Sequence, residues 1–183
     1  MDHYFDIVFK PDAEMRENVW LNMVYTKLHK ALIDVKSTSI GVSFPETYLR
    51  LGARLRIHGN VEALTQLSVD WLGGISGYCQ VSAVSKVPDS VNQHRTVSRK
   101  QLNMSQSKMN RLIKRGALAP AEISRYKAKM FNQEMSEPFL ELQSASNSER
   151  YRRSIQLGEL KTVPTAGQFD QFGLSKVATV PWF

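Results

Sequence analysis

Arg54-Leu55-Arg56-Ile57-His58-Gly59-Asn60 reads as a strand followed at once by a helix start. Apolar Leu55 and Ile57 alternate with polar Arg54, Arg56 and His58, the period of two expected of a half-buried strand. Gly59 supplies a turn. Asn60 is a good N-cap, because its side-chain oxygen can accept from a free N–H of the first helical turn. A helix is expected from about Val61 to Leu72, with Leu64, Leu67, Trp71 and Leu72 on its apolar face. It stops at Gly73-Gly74, and Tyr78 to Val84 follows as a strand ended near Pro88. Upstream, Tyr4 to Phe9 fits a strand, and Pro11-Asp12 opens a helix on which Val19, Trp20, Met23, Val24, Leu28, Ala31 and Leu32 recur at helical spacing. Thr38 to Phe44 is a further strand, ended by Pro45. The order is βαββαβ in about 85 residues, the signature of a ferredoxin-like domain over residues 1–91. The fold alone assigns no function, and the aromatic strand motif on which RNA-recognition modules stack bases is not visible.

After Val91 the chain becomes polar and basic, and Asn92 to Thr96 reads as a linker. Ser105 can cap a helix on which Lys108, Arg111 and Arg115 fall within about 60° of one another, with Met109 and Ile113 on another side. Another helix is expected from Ala119-Pro120 towards Met135, proline being tolerated in a first turn. From Phe139 onward short strands and loops are expected. The class is therefore α+β, a ferredoxin-like domain plus a basic domain over residues 92–183 with an Arg/Lys-rich helix.

Charge is distributed unevenly between the halves. Residues 1–91 hold nine Lys/Arg and ten Asp/Glu, whereas residues 92–183 hold fifteen and seven, so the net +7 comes from the second half. Ten of those bases lie between Arg95 and Lys129, against the single acid Glu122. Such a field is the footprint of a polyanion binder, because neutralising phosphates releases condensed counterions. A solvated helix face is the plainer reading of the same charges. A hydrophobic content of 42% in 183 residues is enough for a real core. No run approaches the roughly 18 apolar residues of a membrane span, and the N-terminus lacks the basic and apolar regions of a leader, so a cytoplasmic protein without membrane association is expected. Cys79 is the only cysteine, which excludes an intrachain disulfide and a Cys-based zinc cluster; it is read as a buried strand residue.

Proton-transfer chemistry near neutrality would fall to one of His3, His29, His58 and His94, although a histidine on an amphipathic helix is more often structural or solvated. Several segments decide among them, because together they are similar to one family in order and spacing. They are Met1-Asp2-His3-Tyr4, Lys27-Leu28-His29, Ile40-Gly41-Val42-Ser43-Phe44-Pro45, Arg54-Leu55-Arg56-Ile57-His58, Val97-Ser98-Arg99, Gly173-Leu174-Ser175-Lys176 and Val180-Pro181-Trp182-Phe183. They resemble the repeat-processing endoribonuclease of subtype I-F CRISPR systems, the Csy family, along the whole chain.

The resemblance implies a protein that binds the hairpin of a CRISPR repeat transcript and cuts once at the 3′ base of the stem, without metal or other cofactor. The ribose 2′-hydroxyl would attack the adjacent phosphate, leaving a 2′,3′-cyclic phosphate and a 5′-hydroxyl. The protein, a monomer when free, would stay on the crRNA 3′ hairpin in a surveillance complex with other type I-F Cas proteins.

By residue, His29 matches the family's catalytic histidine, Ser144 the serine that holds the 2′-hydroxyl, and Ser146 a second serine close by. Taken alone, both serines would be read as turn residues. Arg99 and Gln101 match a pair that reads purine edges at the stem base, in keeping with bidentate Arg-to-G and Gln-to-A chemistry. Lys108, Arg111, Lys114 and Arg115 correspond to the helix that lies along the hairpin, with lysines and Gly116 where the family has arginines. Tyr151 matches an aromatic that stacks on the terminal base pair, and a core tyrosine is its plain alternative. One position departs from the pattern: Phe172 stands where the best-known members carry a tyrosine whose hydroxyl orients the histidine. Either another group orients His29, or cleavage is slower, or the protein leans towards binding. A non-catalytic hairpin-binding subunit and a DNA-binding protein using the basic helix therefore stay open as alternatives.

Overall fold

The structure is a computed structural model that describes residues 1–10, 15–68, 70–101, 104–135, 138–143 and 150–183. In chain order it runs β1 (His3–Phe9), α1 (Glu17–Asp34), β2 (Gly41–Ser43), β3 (Arg54–Gly59), α2 (Val61–Leu67), β4 (Cys79–Val81), β5 (Ser85–Lys86), β6 (His94–Arg95) and β7 (Val97–Arg99). It continues with α3 (Gln106–Lys114), α4 (Pro120–Met135), β8 (Phe139–Gln143), β9 (Arg150–Leu157) and β10 (Val180–Pro181). The molecule is a mixed α+β protein. Its main sheet has the order β2-β3-β1-β4, with every neighbouring pair antiparallel and β5 pairing with the start of β1.

Local signals placed most elements, and the departures at element ends have local causes. Asn60 caps α2 by accepting from the Ala63 N–H at 2.8 Å. That helix stops at Leu67 rather than Leu72, because Ser68 turns to φ +51° and its carbonyl accepts the Trp71 indole N–H. Leu64, Leu67 and Leu72 are buried as expected, while Trp71 is only half-buried. The second strand is shorter than Thr38–Phe44, and the fourth ends at Val81 rather than Val84. There the Ser82 hydroxyl accepts from the Asp6 N–H in place of a backbone carbonyl, which interrupts the ladder until β5 resumes it. On α1 the buried residues are Trp20, Leu21, Val24, Tyr25, Leu28, Ala31 and Leu32. They span an arc of about 140° at 100° per residue, and Val19 and Met23 fall outside it, each 38% exposed.

The largest departure lies in β3. Half of this strand was expected to face solvent, but Leu55 to Gly59 are all buried. Cross-strand register puts Asp6 and Ser43 opposite Arg56, and Tyr4 and Gly41 opposite His58, so these residues share the sheet's second face. That face is covered by the end of the chain. Phe183 lies 3.9 Å from the Arg56 guanidinium and edge-on to Tyr4, and its carbonyl accepts from Arg56 Nη1 at 2.8 Å. Asp6 receives Arg56 Nε at 2.7 Å, Arg56 Nη2 at 2.9 Å and Arg54 Nη1 at 2.9 Å. Beside it His58 shares a 2.8 Å hydrogen bond with Ser43 Oγ, and burial with the nearby Arg56 charge pushes its pKa down to about 3. His58 is thus a neutral core histidine.

In the second half β7, β9 and β8 form a three-stranded antiparallel sheet, and β6 pairs with β10. The segment Asn92 to Thr96, expected as a linker, is fixed. Its β6 pairing is reinforced by Arg95, whose guanidinium donates twice to the Gly158 carbonyl and lies over Trp182. Buried residues of both halves form one contiguous cluster, from Phe5 and Ile7 through Leu140 and Ile155 to Phe172 and Val180. Cys79 lies within it, where burial raises its thiol pKa. Among the described residues no helix is long and apolar enough to cross a membrane.

Candidate active site and nucleic-acid interface

Helix α1 and the turn at residues 170–175 build a site around His29. Tyr25 and His29, four residues apart, share a helix face. The Tyr25 hydroxyl donates to the Phe172 carbonyl at 2.6 Å, and His29 Nδ1 lies 2.8 Å from the Gln171 carbonyl oxygen. A carbonyl can only accept, so Nδ1 carries a hydrogen in this contact, and in the neutral ring the lone pair is on Nε2. The His29 and Phe172 rings stack at 3.6 Å and 10°.

The turn is held rigidly by its own sequence. Asp170 Oδ1 accepts from the Phe172 and Leu174 N–H groups, and Ser175 Oγ from those of Val177 and Ala178. Gly173 sits at φ +69°, and a Cβ there would come within 2.8 Å of the Val42 side chain. Its carbonyl accepts from the Val42 N–H, tying the turn to β2. The Gly-Leu-Ser-Lys segment thus serves as a scaffold that presents Gln171 and Phe172 to His29.

Phe172 answers the question raised by the missing tyrosine hydroxyl. His29 is oriented by the backbone carbonyl of Gln171 and by ring stacking, neither of which needs a hydroxyl. Sequence reasoning missed Gln171, because a backbone carbonyl acts whatever its side chain is. It also missed Tyr25, signalled only by its spacing from His29, and Arg153.

Arg153 is buried on β9 with its Cζ 3.6 Å above the Phe172 ring. Strand periodicity places it on one face with Tyr151 and Ile155. Tyr151 is half-buried and packs at the edge of the core, with the Arg153 guanidinium 5.9 Å from its ring. Ser144 and Ser146 lie outside the described residues.

The expected binding residues are on the surface. Arg99 ends β7 opposite Ile155, and both Arg99 and Gln101 are exposed. Helix α3 begins at Ser105, whose hydroxyl accepts from the Lys108 N–H, and contains no acid. Lys108, Arg111, Lys114 and Arg115 are exposed, and Met109 anchors the opposite side; Ile113, expected beside Met109, is 40% exposed. Gly116 lies at φ +68° just after the helix, with its N–H on the Ile113 carbonyl and the Ala117 N–H on that of Leu112. This is a Schellman stop, where an arginine would be strained. Arg150 and Arg152 of β9 are exposed, and Arg152 lies over Phe139.

The chain thus carries an exposed basic helix and an imidazole held in one orientation, and comparison with known proteins shows which family it belongs to. The model of the CRISPR-associated protein family Cas_Csy4 matches residues 4–183. The chain is 37% identical over 185 residues to the CRISPR-associated endonuclease Cas6/Csy4 of Escherichia coli strain UTI89, and 35% identical over 188 residues to that of Pseudomonas aeruginosa strain UCBPP-PA14. Each match covers both chains completely. A solved structure, CRISPR endoribonuclease Cse3 bound to 19 nt RNA, aligns over 99% of this chain and 100% of its own at 13% identity and a TM-score of 0.39. The chain belongs to the Cas6/Csy4 family of CRISPR-associated endonucleases. It is a nuclease, which sets aside the non-catalytic alternative.

Proposed function

We propose that this protein binds the hairpin of a CRISPR repeat transcript and cuts it once, at the 3′ base of the stem, with His29 as the proton-transfer group. The observation that carries this reading is the hydrogen bond from His29 Nδ1 to the Gln171 carbonyl, which leaves the Nε2 lone pair free to work as a base. In the reaction Nε2 takes the proton of the ribose 2′-hydroxyl as that oxygen forms its bond to the adjacent phosphorus. The bond to the 5′ oxygen breaks, and a proton is delivered to the departing oxygen. The products are a 2′,3′-cyclic phosphate and a 5′-hydroxyl, and no metal takes part in these steps.

Ser144 is proposed to hold the 2′-hydroxyl and Ser146 to assist it. Arg99 and Gln101 are assigned to purine edges at the stem base, and Tyr151 to stacking on the terminal pair. Lys108, Arg111, Lys114 and Arg115 would follow the phosphates of the stem, the lysines as point charges without a bidentate fork. The ferredoxin-like reading of residues 1–91 is supported by the strand order β2-β3-β1-β4. After cutting, the protein would remain on the crRNA 3′ hairpin within a complex of other type I-F Cas proteins.

The test replaces the single ribose upstream of the expected cut by deoxyribose. Hairpin affinity is expected to stay within about twofold while cleavage is lost, since the nucleophile has been removed. Cleavage at the unmodified rate would overturn the 2′-hydroxyl mechanism. Equal affinity for duplex DNA would favour the DNA-binding alternative.

A further inference from the structure

Arg153 is a charged side chain where the strand pattern calls for an apolar one. Its neighbours on the same face of β9 are Tyr151 and Ile155, and it is only 7% exposed. A buried cation normally has a carboxylate partner, because its desolvation cost is otherwise uncompensated. Among the described residues Arg153 has no ion pair, and its buried Nε has no hydrogen-bond partner. Asp170, close enough for its charge to be felt at Tyr25 together with that of Arg153, spends Oδ1 on the Phe172 and Leu174 N–H groups.

What Arg153 does touch is the Phe172 ring, 3.6 Å from its Cζ, and the His29 ring stacks on Phe172 at the same distance. Two groups cannot occupy one face of a ring at that separation, so they lie on opposite faces. The guanidinium and the imidazole are therefore no more than about 7 Å apart, the sum of the two separations. The Phe172 ring lies between them, so a single phosphodiester that accepts hydrogen bonds of about 2.8 Å from both does so around the edge of that ring. The aromatic face attracts the cation but satisfies none of the five N–H donors of a guanidinium.

We infer that Arg153 is a second catalytic residue: it binds a non-bridging oxygen of the scissile phosphate and stabilises the negative charge that grows there as the 2′-oxygen attacks. The group transfer is the one already described, and Arg153 adds no proton and removes none. Among the described residues no carboxylate pairs with this guanidinium, and the substrate phosphate supplies the counter-anion. Preorganised donors of this kind act most strongly at the transition state. The inference rests on the assignment of His29 as the proton-transfer group.

Single-turnover cleavage of the repeat hairpin at saturating protein tests it, with Arg153→Met and Arg153→Lys beside His29→Ala. Arg153→Met is expected to cut about 10²-fold more slowly, with hairpin affinity within about threefold of the parent, and Arg153→Lys to recover part of the rate. If His29→Ala is inactive while Arg153→Met cuts at the parent rate, the Arg153 assignment is wrong and the His29 reading stands. If His29→Ala cuts at the parent rate, the reading beneath it has failed. A second arm needs no variant and decides the matter if Arg153→Met does not fold. Sulfur replaces either non-bridging oxygen of the scissile phosphate, and one of the two diastereomers should be cut at least tenfold more slowly by the parent protein. Equal rates for the two would overturn the proposal.

Discussion

His29→Ala is expected to lower single-turnover cleavage by about 10²- to 10⁴-fold, the range that a positioned acid–base group contributes, while hairpin affinity changes less than about twofold. The separation follows from where the residue sits. His29 is half-buried on α1, held by the Gln171 carbonyl and the Phe172 ring, whereas the exposed cations proposed to carry affinity lie on β7 and α3. Removing an imidazole that makes one hydrogen bond and one stacking contact leaves that surface intact. Rates measured with excess protein, together with filter-binding affinities, check both halves of the expectation. An alanine variant with parental cleavage would reject His29 as the proton-transfer group.

Asp6→Asn is expected to destabilise the protein by about 3 kcal/mol, because it removes the carboxylate charge that accepts from Nε and Nη2 of the buried Arg56. At about 2–4 °C per kcal/mol for a chain of this size, the thermal midpoint falls by roughly 6–12 °C. A fall below about 2 °C would mean that the aromatic rings of Tyr4 and Phe183 and the Phe183 carbonyl hold Arg56 without help. The pH dependence separates this group from its neighbour. Burial pushes the Asp6 carboxyl up, but the hydrogen bonds and charges of Arg56 and Arg54 outweigh it, so its pKa lies below the ordinary 3.8. Its contribution is therefore complete above about pH 3.8 and is lost as the pH falls further. His58 acts at higher pH. Its folded pKa is about 3 against an ordinary 6.5, so the unfolded chain takes up a proton first, and stability declines as the pH falls from 6.5. Melting curves of parent and Asp6→Asn between pH 7.5 and 4.5 are expected to decline nearly in parallel, separated by the constant cost of the missing carboxylate.

These two sites differ in how much of them could be read from sequence. The order of strands and helices was legible because its punctuation is local: Asn60 and Ser105 cap the helices that follow them. The burial of Arg56 and His58 was not legible, since the cover comes from Phe183, 127 residues beyond Arg56, and the polar alternation of β3 is the same whether water or a C-terminal aromatic meets it. At the candidate site, the motif is what points to His29. Its orienting partner was hidden, because the Gln171 carbonyl is a backbone group whose position depends on Asp170 and Gly173. Arg153 was legible in principle. Period two places it among Tyr151 and Ile155, but beside Arg150 and Arg152 it reads as one more surface charge.

The most direct test of the central claim, that an oriented imidazole and the substrate's own 2′-hydroxyl do the cutting, is the mass of the two product ends after one turnover in excess EDTA. A 2′,3′-cyclic phosphate on the upstream fragment and a 5′-hydroxyl on the downstream fragment are the predicted result. A 3′-hydroxyl paired with a 5′-phosphate, or no cleavage until a divalent metal is restored, would contradict it.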